Sequence, residues 1–430
     1  MKSARCGRLA VLAAAVALVV PALAQANEVT KWNNIALTTI LAQPADTSSP
    51  PAAAVFTAMV QGAVYGAVNA VDRHGRPYLV MRSFPKASMD AAVATAAFRV
   101  LDGVFSAQHA ALQTQYDASL AGIPAGDARD TGVQVGTMAA DAMLAEGHDG
   151  RMALPCVFGT GLGAWQPLVG ATGFLCDPTP WVANAVPFLV NSASQFRTAG
   201  PLPLTSAGYA ADVNEVKEIG AINSTTRTAE QTHTAVFWQS NPTPNYNALA
   251  RRFVDEQSLG VRDSALLFAM IDLNAADAII NAWNDKYHWS FWRPWAAIKN
   301  ADSDGNPATT GDVNWTPLFD PSLSAAIRGA GPLLVTPPYP DHPSGATSYA
   351  SSTMHAFQTF FGTDEMTFYV TSSRFPGEQR YFTRFSDLTN QVLEARIWAG
   401  IHFRNPDVQA ANLGREVESW NHAHFFASVR

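Results

Sequence analysis

The 430-residue chain is expected to be all-α, built as helical bundles. Apolar residues recur at three- and four-residue spacing over long stretches, and alternating strand patterns are scarce. Hydrophobic residues make up 48% of the chain, with 11 Trp and 23 Phe, so a large core can be buried.

Taken in order, the first element lies outside the fold. Lys2, Arg5 and Arg8 precede an apolar run from Leu9 to Leu23, and Ala22-Leu23-Ala24 or Ala24-Gln25-Ala26 offers small residues for cleavage. The pattern is that of a secretory signal peptide over residues 1–26, its apolar run short for a spanning helix. A periplasmic or secreted protein is expected. No later run offers about 18 consecutive apolar residues, so no integral membrane segment is expected after cleavage. The formal net charge of −7 argues against a nucleic-acid partner. Cleavage would leave Cys156 and Cys176, expected as one disulfide, with two free buried thiols as the alternative.

Helical periodicity then marks 52–71, 87–111 and 133–144, an N-terminal region that extends over residues 27–230. Within it, 148–210 is rich in Gly, Pro, Thr and Ser and reads as a long irregular connection. Periodicity resumes at 265–283, 350–361, 378–398 and 406–426, giving a second bundle over 231–430. Asp302-Ser303-Asp304-Gly305-Asn306 has carboxylates near calcium-loop spacing, but the glycine is misplaced and no Glu closes the loop, so a plain turn is expected. Gly159 to Gly163 lacks the preceding strand that a dinucleotide fingerprint requires.

The second bundle holds three segments whose side chains suit a tetrahedral oxyanion: Lys286 with Arg293-Pro294, then Pro343-Ser344-Gly345, then Arg396 with His402. Lys and Arg supply fixed charge, Ser and Gly supply hydroxyl and N–H donors, and an imidazole attacks or ligates the central atom. A helix near 262–284 would let Lys286 and Arg293, seven residues apart, leave the same side of one element. The proline-rich loop 337–343 runs into a small-residue helix start, so an anion at Ser344 and Gly345 would sit on a helix N-terminus. His402 follows Gly400 and should emerge near a helix end with Arg396 behind it.

Lys-x6-Arg-Pro, Pro-Ser-Gly and Arg-x5-His, in that order, resemble the signature motifs of the vanadium-dependent haloperoxidase and type 2 phosphatidic acid phosphatase superfamily. Asp285-Lys286-Tyr287-His288-Trp289-Ser290-Phe291-Trp292-Arg293-Pro294 favours its soluble, haloperoxidase-like branch. The resemblance implies an oxidoreductase that binds vanadate through His402. Lys286, Arg293, Ser344, Gly345 and Arg396 would hold the oxygens, Lys286 acting as polariser. Peroxide and a halide or small organic molecule would be the substrates, and Trp283 and Tyr339 would wall the pocket. It implies two alternatives. One is an acid phosphatase with phosphate in the same site, a phosphomonoester as substrate and His402 as nucleophile. The other is a non-catalytic oxyanion-binding homologue. The family motif continues Pro-Ser-Gly-His, whereas this chain has Ala346. A positioned acid or base contributes about 10²–10⁴-fold, so its loss is expected to impair the chemistry. His342, four residues before Ala346, is the candidate substitute; otherwise it is a capping or solvent-facing group of the loop.

Overall fold

A computed structural model describes residues 27–73, 75–150, 154–156, 158–170 and 173–427; residues 1–26, expected from the sequence to be a signal peptide, lie outside them. The fold is all-α: among the described residues its strands form just two small two-stranded sheets.

The core is organised by the helix Val261–Trp289, whose residues are buried almost without break from Leu267 to Trp283. A helix so largely apolar has no solvent face to keep, so it runs through the interior and takes Asp272, Asn274, Asp277 and Asn281 inside with it. It packs on Pro50–Val71 along one flank and on Gly345–Phe361 along another. Pro50–Val71 and Val261–Trp289 are long and apolar enough to cross a membrane by composition, yet their most apolar windows are 100% and 94% buried inside the fold. Gly345–Phe361 in turn packs on Arg404–Asn421. That contact depends on a small residue, because a Cβ at Gly414 would come within 2.6 Å of the Ser348 carbonyl oxygen.

Several elements differ from the sequence expectation. The run 87–111 divides into Met89–Val104 and His109–Ala121, with Phe105 in a non-helical conformation at φ −123°. The run 378–398 starts as a strand, Gln379–Arg384, paired antiparallel with Glu365–Thr371, and becomes helical from Phe385. Phe382 stacks on Phe368 there at 5.6 Å, so cross-strand aromatic packing decides the conformation over local helical spacing. Four helices that periodicity did not mark begin on side-chain caps: Glu28–Leu41 on Asn27, Ala207–Ile219 on Ser206, Ala229–Phe237 on Thr228 and Pro242–Glu256 on Asn241.

Cys156 and Cys176 are bonded, with Cα atoms 5.4 Å apart. In the 302–306 turn the Asp304 carboxylate accepts from Thr309 Oγ1 at 2.8 Å and from the Asn306 amide at 2.7 Å. No cluster of metal-ligating side chains occurs among the described residues.

Candidate oxyanion site

The helix Val261–Trp289 delivers Trp283 and Lys286, then stops where Ser290 turns left-handed at φ 46°. Arg293 is therefore not on the Lys286 helix, contrary to the shared-face expectation. It is extended at φ −86°, ψ 159° and precedes the short helix Pro294–Lys299. The cause is local: proline disfavours helix at the residue before it and is at home in a helix's first turn. The two cations converge from opposite sides of a turn.

Both are fully buried and committed to backbone carbonyls. Lys286 Nζ donates to the oxygens of Pro340 at 2.9 Å, Asp341 at 3.0 Å and Pro343 at 2.6 Å, which uses all three ammonium protons. Arg293 donates from Nε to Tyr339 O at 2.8 Å and from Nη1 to Ile401 O at 2.7 Å. Together they pin the loop that precedes the Pro-Ser-Gly motif. Burial, then the charge of Arg293, pulls Lys286 well below the ordinary lysine range, and burial lowers Arg293 as well.

Ser344 stands at the N-cap of Gly345–Phe361, with no side chain capping the helix. Its hydroxyl donates instead to Thr347 Oγ1 at 3.3 Å, and Thr347 donates to buried Asp407. Gly345 is required by close approach: a Cβ there would overlap the Trp283 ring. The helix start thus presents first-turn N–H groups between small side chains, the arrangement that favours an anion.

The helix Phe385–Trp398 carries Arg396 in its last turn, and Gly400, at φ 74°, redirects the chain so that His402 returns toward the same place. Arg396 is 5% exposed and donates from Nη1 to Gln239 Oε1 at 3.2 Å. Its Nε and Nη2 have no hydrogen-bond partner among the described residues. His402 sets Nδ1 2.8 Å from Asp341 Oδ1 and Nε2 3.0 Å from Arg293 Nη1. A guanidinium only donates, so Nε2 is the accepting nitrogen and Nδ1 carries the proton toward the carboxylate. The Nδ1 approach is short but out of line for a full hydrogen bond, leaving both Asp341 oxygens without an aligned donor among the described residues. Burial, then Arg293, Lys286 and Arg396, drives His402 well below its ordinary pKa, so the imidazole is neutral. Burial pushes the Asp341 carboxyl up to about 8.

His342 points elsewhere. Its Nε2 lies 2.9 Å from Thr198 Oγ1, which itself donates to Asp285 Oδ2 at 2.6 Å, and its Nδ1 has no partner among the described residues. It is fully buried, neither capping a helix nor facing solvent, and burial followed by the Lys286 charge lowers it to about 3.

A cavity of about 340 Å³ opens in front of the loop, with Trp283, Tyr339, Gly345, Ala346, Arg396 and His402 in its wall. Lys286, Arg293, Ser344 and His342 are not in that wall. Sequence reasoning missed three participants. Gln239 lies on a distant segment, Asp407 falls inside the helical stretch 406–426 with no local feature to single it out, and Asp341 had a signal only in being a carboxylate between cation-bearing motifs.

Residues 266–429 match the family described as the VCPO second helical-bundle domain. The vanadium chloroperoxidase of Curvularia inaequalis is 28% identical over 157 residues, covering 33% of this chain and 24% of that protein, so the match spans about a quarter of the relative's length. Among solved structures, one described as the first bacterial vanadium-dependent iodoperoxidase superposes with a TM-score of 0.74 at 19% identity, covering 94% of this chain and 98% of that one. A holo-type bacterial vanadium-dependent chloroperoxidase gives 0.66 at 18% identity, with the same coverage of 94% and 98%. The chain therefore has the fold of these vanadium-dependent haloperoxidase structures, and the part of it that carries all three motifs, residues 266–429, is similar to the VCPO second helical-bundle domain.

Proposed function

We propose that the cavity is an oxyanion site for vanadate and that the chain is a haloperoxidase-like oxidoreductase acting in the periplasm or outside the cell. The observation that carries this reading is Arg396. Two of its buried nitrogens lack partners among the described residues, and they share a cavity with neutral His402 and an uncapped helix N-terminus. An anion is what such a set lacks. Vanadate fits these donors: His402 Nε2 would hold the metal, while Arg396 and the amides of Gly345 and Ala346 would hold its oxygens. When bound, it supplies a Lewis-acidic centre that activates peroxide toward a halide or small organic substrate.

The protein's own residues shape that site. Arg293 stands 3.0 Å from His402 Nε2, so a ligand on that nitrogen must displace the guanidinium contact. Lys286 acts as polariser through its charge, and it touches an oxygen only by releasing one of its three carbonyls. Ala346 offers a methyl group where a proton carrier is needed, so turnover is expected to be slow. The test uses the mature protein incubated with orthovanadate, desalted and assayed for bound vanadium beside His402→Ala. Peroxide, bromide and a halogen-accepting dye follow. Stoichiometric vanadium that is lost in the variant, with slow bromination, is expected; no retained vanadium overturns the assignment.

A second reading, a phosphatase on the same residues, rests on the same unpartnered Arg396 nitrogens and neutral His402, which suit phosphate as well as vanadate. Phosphate shares the shape and charge of vanadate. The Nε2 lone pair of His402 would form an N–P bond as the ester P–O bond breaks, its electron pair leaving with the ester oxygen. With no donor at position 346 that oxygen departs unprotonated, so only good leaving groups turn over. Water then cleaves the N–P bond and restores the imidazole. An oxyanion binder without catalysis is the outcome if vanadium or phosphate binds and neither reaction proceeds.

A further inference from the structure

We infer that the cavity selects oxyanions that carry a planar aromatic group; the inference rests on the oxyanion reading above and names the ligand class for that site. Its walls are the first observation. Beyond Ala346, the next turn of Gly345–Phe361 brings Tyr349 to the same cavity, three residues on and therefore on the same helix face. Tyr246 packs beside it, ring centroids 5.7 Å apart and tilted by 50°. Trp283 and Tyr339 form a second pair, 5.0 Å apart at 54°, and Trp238 also lines the space.

The two tryptophans are anchored before any ligand arrives. Trp283 Nε1 donates to Asp177 Oδ2 at 2.9 Å, and Trp238 Nε1 donates to Gln391 Oε1 at 3.0 Å. Fixed aromatic faces favour a flat partner, because stacking needs no reordering of the walls.

Charge and size narrow the choice. Arg396 is the one Lys, Arg, Asp or Glu side chain in the cavity wall among the described residues, so the walls hold no carboxylate to recognise a cationic tail. The volume of about 340 Å³ is enough for one ring joined to a tetrahedral oxyanion. It lies at the lower end of small-molecule sites, too small for paired acyl chains. Ala346 adds a chemical argument. A methyl group in place of an imidazole leaves room beside the helix N-terminus, and an oxygen attached to a ring leaves as a stabilised aryl oxide without needing a proton donor. Shape and reactivity therefore point to the same class of compound.

The test is calorimetric binding of phenylphosphonate, methylphosphonate and inorganic phosphate to the mature protein, the phosphonates being inert to hydrolysis. Phenylphosphonate should bind about tenfold or more tightly than methylphosphonate, with phosphate displacing both. Tyr246→Ala should remove most of that preference, read as the ratio of phenylphosphonate to methylphosphonate affinity within the same variant. Ala346→His should weaken phenylphosphonate selectively by filling the space. Equal affinity for the two phosphonates, both displaced by phosphate, overturns the inference while the oxyanion reading stands. A ring preference untouched by both Tyr246→Ala and Trp238→Ala overturns it too, by putting the ring outside these walls. If none of the three compounds binds, the oxyanion reading itself fails.

Discussion

Lys286 and Arg293 lie behind the loop 339–344 with donors committed to backbone carbonyls, those of the loop and, for Arg293, that of Ile401 as well, whereas Arg396 lies in front with two nitrogens unpartnered among the described residues. All three are buried cations, so burial alone does not distinguish them. What does is the identity of the acceptor. Backbone carbonyls cannot leave, so the rear pair holds the loop in shape. The open donors of Arg396 wait on a group that comes and goes. One motif set thus contains builders and binders, and substitution should separate the two roles.

The largest expected effect is on stability, at the rear. Lys286→Met strands the carbonyls of Pro340, Asp341 and Pro343, and a buried group left unsatisfied costs about 1–3 kcal/mol. Relief from burying a cation offsets part of this, leaving a net loss of roughly 3 kcal/mol or more in urea unfolding. Arg396→Met should behave in the opposite way. Stability should change by no more than about 1 kcal/mol, while phosphate affinity falls about 10–100-fold through loss of charge-assisted hydrogen bonds. A Lys286→Met protein with an unchanged urea midpoint and abolished phosphate binding would exchange the two roles and break the comparison.

Gly345→Ala tests the boundary between the two sides and should have an intermediate effect. Its Cβ would overlap the Trp283 ring, and that ring is tied to Asp177, so the helix start must shift. Overpacking of this kind costs about 1–3 kcal/mol, and here phosphate affinity should fall along with the melting temperature. Loss of one without the other would show that the helix start and the ring move independently.

Legibility in the sequence followed the same division. The helix start at Ser344-Gly345 could be read because proline, serine and glycine have strong local preferences, and the structure begins its helix there. The order of the three motifs likewise pointed to the superfamily. Arg293 was misread as part of the Lys286 helix because seven residues match two turns, while the break at Ser290 requires a left-handed φ that serine does not announce. That Lys286 faces three carbonyls was invisible, since the loop that supplies them is 54 residues away in the chain. Asp341 gains its meaning from His402, which reaches it only through the tertiary fold. The strand Gln379–Arg384 was hidden inside an apolar spacing that also fits a helix, and the stack of Phe382 on Phe368 decided between them.

The smallest expected effect concerns His342, the residue whose side of the loop matters most to catalysis. Its imidazole is bonded to Thr198, away from the cavity, and is held down to about 3, against about 6.5 for an exposed histidine. In the unfolded chain it takes up a proton as the pH falls through about 6.5, while in the fold it stays neutral nearly to 3. The unfolded state therefore binds more protons in that window. Stability contributed by the neutral ring is fully present above pH 6.5 and declines below it, at a slope approaching about 1.4 kcal/mol per pH unit for one proton. His342→Gln removes the titrating group and should flatten that decline, so urea unfolding of parent and variant between pH 6.5 and 5 should converge as the pH drops. Parallel profiles would mean that the folded protein protonates His342 as readily as the unfolded chain does. The ring would then reach water or the cavity, and His342 would join the front of the loop as a source of the proton that Ala346 cannot supply.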